Sequence, residues 1–104
     1  MKPTVPSGFP CYEVHVADNF RYMDKEAEYV SGAFATADEA LAKCRYLVEI
    51  CLDECAEPGC TADQIFGCYR YYGDDPYIIA RNGAPQIKFS GWDYAKLKSA
   101  DFVT

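Results

Sequence analysis

From Cys11 to Ala17 apolar and polar residues alternate, with Tyr12, Val14 and Val16 on one side and Cys11, Glu13 and His15 on the other. A period of two sends successive side chains to opposite faces and predicts a half-buried strand. Residues 18–27 are polar and contain the turn pair Asp18-Asn19, yet Phe20, Tyr22 and Met23 are apolar enough to fold back onto the body. Tyr29 to Phe34 reads as a second strand, with Val30 and Phe34 on one face and Gly32 marking a bulge or a close approach. The two strands are expected to pair as an antiparallel hairpin with a long loop. The period then changes. Ala40, Leu41, Cys44, Leu47, Val48, Cys51, Leu52 and Cys55 recur at spacings of three and four, the apolar stripe of an amphipathic helix. Asp38, Lys43, Glu49 and Asp53 fall outside the stripe, and Arg45 and Glu49 form an i,i+4 pair.

The boundaries carry their own chemistry. Thr36-Ala37-Asp38-Glu39 has the pattern of a capping box, in which the Thr36 hydroxyl takes the Glu39 N–H and the Glu39 carboxylate returns to the Thr36 N–H. Pro58 disfavours helix at Glu57, and Gly59 suits the exit. A second box, Thr61-Ala62-Asp63-Gln64, opens a second helix, with Cys60 and Ile65 placed as a hydrophobic staple. Ile65, Cys68, Tyr69 and Tyr72 make its stripe, Gly67 costs about 1 kcal/mol against alanine, and Gly73 closes it. Gly73-Asp74-Asp75-Pro76 reads as a turn and Tyr77 to Arg81 as a strand. Asn82-Gly83 is the favoured pair for a two-residue hairpin turn. Its partner, Ala84 to Phe89, contains Pro85, which cannot donate to a ladder and restricts this stretch to a short or irregular edge strand. Ser90 caps a last short helix from Trp92 to Ser99. Residues 1–10 read as an irregular arm, 11–99 as a single domain, and 100–104 as a fraying end.

The order ββααβ(β)α has no βαβ alternation. It predicts an α+β fold: an antiparallel sheet of three to four strands, two helices packed on one face and a short C-terminal helix. Val14, Val16, Val30, Phe34, Leu41, Cys44, Leu47, Val48, Cys51, Leu52, Ile65, Cys68, Tyr72 and Ile78 are the expected core.

Composition narrows the function classes. The chain has 104 residues, half of them apolar and a quarter charged, which suits one folded domain. Net charge is −6. Residues 1–80 hold 6 basic and 14 acidic side chains, whereas residues 81–104 hold 4 basic and 2 acidic ones. An acidic body argues against nucleic-acid phosphates and anionic membranes as partners. Solubility accounts for it most simply; an acidic face for a basic partner, or a mimic of nucleic acid, is the sharper reading. No apolar run reaches membrane-spanning length, and Met1 to Pro6 lacks the apolar stretch of a secretory signal. The expectation is a cytoplasmic protein with reduced thiols.

Six cysteines are many for this length. Cys44, Cys51 and Cys55 lie on the first helical stripe, Cys60 is the staple and Cys68 lies on the second stripe, so one core accommodates five thiols as small hydrophobes. Two rivals stay open. Cys51, Cys55, Cys60 and Cys68 could hold a soft metal, although the Cys-x-x-Cys knuckle is missing; the other rival is a disulfide or redox role, of which a peroxidatic or transfer role needs a thiol at the surface. His15 is the only histidine. A strand places Cys11 roughly 13 Å from it, too far to activate a thiolate. Adjacent Asp74 and Asp75 read as turn residues, with a cation or acid–base site as the rival; the spacing of a calcium loop is absent. Among Tyr69, Tyr71, Tyr72 and Tyr77, the first and third fall on the stripe. Tyr71 should point outward and, with Phe66, could form an exposed aromatic patch.

The runs Phe34-Ala35-Thr36-Ala37-Asp38-Glu39-Ala40, Thr61-Ala62-Asp63-Gln64 and Tyr72-Gly73-Asp74-Asp75-Pro76-Tyr77-Ile78 resemble a small family of bacterial proteins with no assigned activity. The resemblance covers residues 11–80 and implies no cofactor, substrate or residue role.

These readings lead to a non-catalytic binding or protein-interaction module, needing no cofactor. Its partner is another protein or a second copy, met on the sheet face with Glu13 and His15. The alternative is a small-molecule or enzymatic site lined by Tyr22, Tyr71, Asp74 and Asp75. Thiol-based metal binding is the third.

Overall fold

The computed structural model describes residues 10–20 and 28–104. The arm before Pro10, and the expected inward folding of Tyr22 and Met23, lie outside the described residues. The fold is α+β: strands β1 (Tyr12–Asp18) and β2 (Tyr29–Phe34), helices α1 (Ala37–Cys55) and α2 (Ala62–Tyr72), strand β3 (Asp74–Ala80) and helix α3 (Gly91–Lys98). The three strands form one antiparallel sheet in the order β2-β1-β3. A short 3-10 turn, Ser99–Phe102, continues α3 where fraying is expected from sequence; Ser99 is buried and Phe102 packs on the core.

The alternation in β1 is realised. Tyr12, Val14 and Val16 are buried with Ile78, Ala40 and Cys44 between the sheet and α1. A second cluster, Val48, Leu52, Ile65, Tyr69 and Ala95, joins α1, α2 and α3. α2 therefore packs mainly on α1, α3 and the 3-10 turn rather than on the sheet.

α1 and α2 are each capped by a threonine. The Thr61 box is complete: Gln64 N–H donates to the Thr61 hydroxyl at 3.2 Å, and Thr61 N–H donates to the Gln64 side chain at 2.8 Å. At Thr36 only half of the expected exchange forms. The hydroxyl accepts from Glu39 N–H at 3.2 Å, but the Glu39 carboxylate takes the Thr36 hydroxyl proton at 2.9 Å instead of the backbone N–H.

Further sequence expectations change. Val30 is 54 % exposed, because the β1–β2 register slips between Val14 and His15: Val14 faces Gly32, whereas His15 faces Val30. Ser31 is the extra residue. It reverses the phase of β2, so Val30 joins His15 while Phe34 stays opposite the buried Tyr12. Tyr72 is 66 % exposed, and Tyr69 is the buried tyrosine; Tyr72 stands on the last turn of α2, beyond the reach of the second cluster.

Residues 74–76 are strand rather than turn. Arg81 N–H donates to the Cys11 carbonyl, so the N–H groups of even-numbered β3 residues point away from β1, and Pro76 lacks only an outward donor. Residues 84–89 form no strand. Asn82 and Gly83 do adopt positive φ (57° and 79°), as the hairpin turn requires. The edge beyond them is then satisfied by one side chain: Gln86 donates to the Ile78 carbonyl at 2.6 Å and accepts Ala80 N–H at 3.0 Å.

The cysteines divide. Cys44 is fully buried, and burial pushes its thiol up to about 11. Cys55 and Cys68 are bonded to each other across the α1–α2 contact, with Cα atoms 5.8 Å apart, within the span a bridge requires. The expected set of five reduced, inward-facing thiols is therefore corrected. Cys51 and Cys60 lie half-buried outside the bridge.

Candidate functional site

β1 ends in an Asx turn, with Phe20 N–H donating to the Asp18 carboxylate at 2.9 Å. Asn19 then ties three elements together. Its backbone N–H donates to the Gly73 carbonyl at 3.0 Å, its side-chain NH₂ donates to the Tyr69 carbonyl at 3.0 Å, and its side-chain oxygen accepts the Trp92 indole N–H at 3.1 Å. The end of β1, the end of α2 and the start of α3 thus meet at one residue.

Tyr69 is fully buried beneath this junction and donates its hydroxyl to the Asp74 carbonyl at 2.7 Å. Burial raises its phenol far above the ordinary range, with Asp75 adding to it, so the group stays a donor. Two glycines admit the ring. A Cβ on Gly73 would lie 2.5 Å from a Tyr69 ring carbon, and one on Gly91 would lie 2.6 Å from the Tyr69 hydroxyl.

Above this scaffold stand four exposed aromatic residues. Phe20 and Tyr71 are each 59 % exposed, Tyr72 is 66 % and Trp92 is 44 % exposed. Phe20 stacks on Tyr72 with ring centres 5.6 Å apart and an interplanar angle of 15°. Tyr71 meets Tyr72 edge-on at 4.8 Å and Phe20 at 5.6 Å. Phe20, Tyr71 and Trp92 line a cleft of about 280 Å³ with Asn19 and Arg70. On the far side of Tyr72 a second cleft, of about 220 Å³, is lined by Cys51, Glu54, Cys55, Cys68 and Gly73.

Carboxylates gather nearby. Burial raises the Asp74 carboxyl, and the charges of Asp18 and Glu54 raise it further. Burial also raises Asp75, opposed by a backbone hydrogen bond from Gly91. The Asp74 N–H donates to the Cys51 sulfur at 3.4 Å.

The residues expected to form sites do not come together in one place. Tyr71 reaches the aromatic cluster, where its partners are Phe20 and Tyr72. Phe66 instead packs on the second core cluster, with the Arg70 guanidinium 5.3 Å from its ring centre. Asp74 and Asp75 do not line the Tyr71 cleft, and Tyr22 lies outside the described residues. Glu13 and His15 share the sheet: the His15 ring bonds the Glu13 carboxylate at 2.9 Å and lies 5.5 Å from the Tyr77 ring. His15 and then Arg81, at 3.1 Å, hold the Glu13 carboxyl below its usual range. Cys51, Cys55, Cys60 and Cys68 do not act as four ligands, since the second and fourth are bonded to each other. Among the described residues no three His, Cys, Asp or Glu side chains are grouped as a metal ion requires, and no helix is long and apolar enough to cross a membrane.

Sequence reading missed Phe20 as a ring partner of Tyr71, and Asn19 and Trp92 as lining the same cleft. The turn pair Asp18-Asn19 was the available signal, but its contacts lie 50 and 73 residues away in the chain.

No protein-family model matches the chain, and no curated protein or solved structure is significantly similar to it.

Proposed function

We propose that the protein is a non-catalytic interaction module that docks a basic partner segment on the Phe20–Tyr71–Tyr72–Trp92 cluster. The observation that carries this reading is the mutual packing of three exposed rings, over a scaffold tied together by the hydrogen bonds of Asn19 and Tyr69. Single exposed apolar residues are ordinary, whereas contiguous exposed aromatics mark contact surfaces.

Charge supports a basic partner. Asp18 adjoins Phe20, Glu54 and Tyr72 line one cleft, and Asp74 feels both carboxylates. Arg70 is the one cation among the residues lining the first cleft. Lysine and arginine gain from carboxylates and from aromatic faces together. A second copy docking patch to patch would set like charges against each other, so a separate basic chain fits better than self-association.

The test is selection from a random peptide display library, followed by measured affinities. Enriched peptides should be rich in Lys and Arg with apolar or proline anchors, and Tyr71→Ser/Tyr72→Ser should weaken them at least tenfold while leaving circular dichroism unchanged. Acidic binders, no binders, or binders indifferent to that variant would refute the reading.

A further inference from the structure

We propose that the Cys55–Cys68 bridge is a thiol–disulfide exchange site, entered by a small dithiol through the cleft beside Tyr72. Two observations converge on it. Both bridge residues line this cleft and are half-buried, so the bridge borders solvent-filled space. The bridge is not the only tie between its helices, because Val48 and Leu52 of α1 pack on Ile65 and Tyr69 of α2 with all four side chains fully buried. Opening it therefore does not require unfolding.

Cys51 lines the same cleft one helical turn before Cys55. Its sulfur accepts the Asp74 N–H. Burial raises this thiol, the Asp74 N–H opposes that, and the charges of Asp74, Glu54 and Asp18 raise it further, for a net upward shift. The attacking species in exchange is the thiolate. A raised thiol is a poorer attacker, so exchange with an added dithiol is expected to outrun scrambling onto Cys51.

The step balances with the dithiol as reductant. One dithiol sulfur, as thiolate, attacks a bridge sulfur and forms a mixed disulfide. The S–S bond breaks and the other cysteine leaves as a thiolate, which takes a proton. The second dithiol sulfur, losing its own proton, then attacks the dithiol sulfur of the mixed disulfide; the mixed S–S bond breaks, the bridge cysteine held in it leaves as a thiolate and takes a proton, and the dithiol departs as a cyclic disulfide. The protein gains two electrons and two protons; the dithiol loses them. Tyr71 and Tyr72 follow Cys68 by three and four residues on α2, so opening the bridge loosens one side of the aromatic cluster. That last consequence rests on the docking reading, whereas the exchange itself does not.

The test uses the full chain, oxidised, with iodoacetamide labelling after denaturation counted by intact mass and located by peptide mass mapping. Without reductant, the cysteines outside the bridge should be labelled, namely Cys11, Cys44, Cys51 and Cys60. After dithiothreitol in native buffer Cys55 and Cys68 should be labelled too, with circular dichroism unchanged, and glutathione disulfide should restore the Cys55–Cys68 pair. Labelling of all six before reduction, a bridge that opens only in denaturant, loss of fold on opening, or re-pairing through Cys51 would each overturn the proposal. A selected basic peptide should bind the reduced form several-fold more weakly. If the oxidised protein binds no such peptide, the docking reading fails while the labelling result still decides the exchange.

Discussion

A methyl group on Gly91 would stand 2.6 Å from the Tyr69 hydroxyl and 2.7 Å from the Asp75 carboxylate, and one on Gly73 would meet the Tyr69 ring and carbonyl. Backbone and buried side chain cannot both yield. Gly73→Ala and Gly91→Ala are therefore each expected to cost about 1–3 kcal/mol, seen as a lower urea midpoint at unchanged slope. Asp75 gives a second residue-scale prediction. Burial lifts its carboxyl above the ordinary 3.8, so the folded chain holds this proton more tightly than the unfolded chain. Its penalty grows as pH rises from 3.8 through the raised folded value and is complete above it. Asp75→Asn keeps an oxygen for the Gly91 N–H and removes the charge. The variant should be more stable near neutral pH in thermal melts, and the advantage should vanish in acid. Tyr69 was legible as a stripe residue because helical period locates it. The crowding around it was not, since Gly91 approaches from an element 18 residues beyond Gly73.

Elements whose ends are written in local chemistry were legible. Thr36, Thr61 and Ser90 each cap the helix expected of them, because a cap involves residues three apart. The phase of β2 was not legible, since the bulge that exposes Val30 depends on how β1 pairs with it. Pro76 misled for the same reason: a proline is excluded from a ladder only where its missing donor points inward. The cysteines misled differently. Stripe membership places Cys55 and Cys68 on facing helix surfaces, and only the distance between them distinguishes two packed thiols from a bridge. Gln86 is the least expected element-scale device, a side chain standing in for a fourth strand. Gln86→Ala strips the Ile78 carbonyl and the Ala80 N–H of their partners. It should lower stability by about 1–2 kcal/mol and speed hydrogen exchange of the Ala80 amide ahead of the Ile79 amide.

For the whole molecule, the bridge spans a separation of 13 residues. Chain-entropy reasoning makes a loop of this size worth about 3 kcal/mol. Cys55→Ser/Cys68→Ser should melt at lower temperature but as one cooperative transition, because the second core cluster persists. The candidate site was legible only at Tyr71; the four rings come from β1's end, α2 and α3, and no single stretch of sequence displays them together. Trp92 is the one tryptophan, it lines the cleft with Phe20 and Tyr71, and its indole N–H is bonded to Asn19. Its single indole cross-peak in a proton–nitrogen correlation spectrum is thus the most direct reporter on docking. Titration with a selected Lys/Arg-rich peptide should shift that signal together with the amides of Phe20, Tyr71 and Tyr72. Shifts confined to the Glu13, His15 and Arg81 face, with the indole signal unmoved, would contradict the assignment of the aromatic cluster as the docking surface.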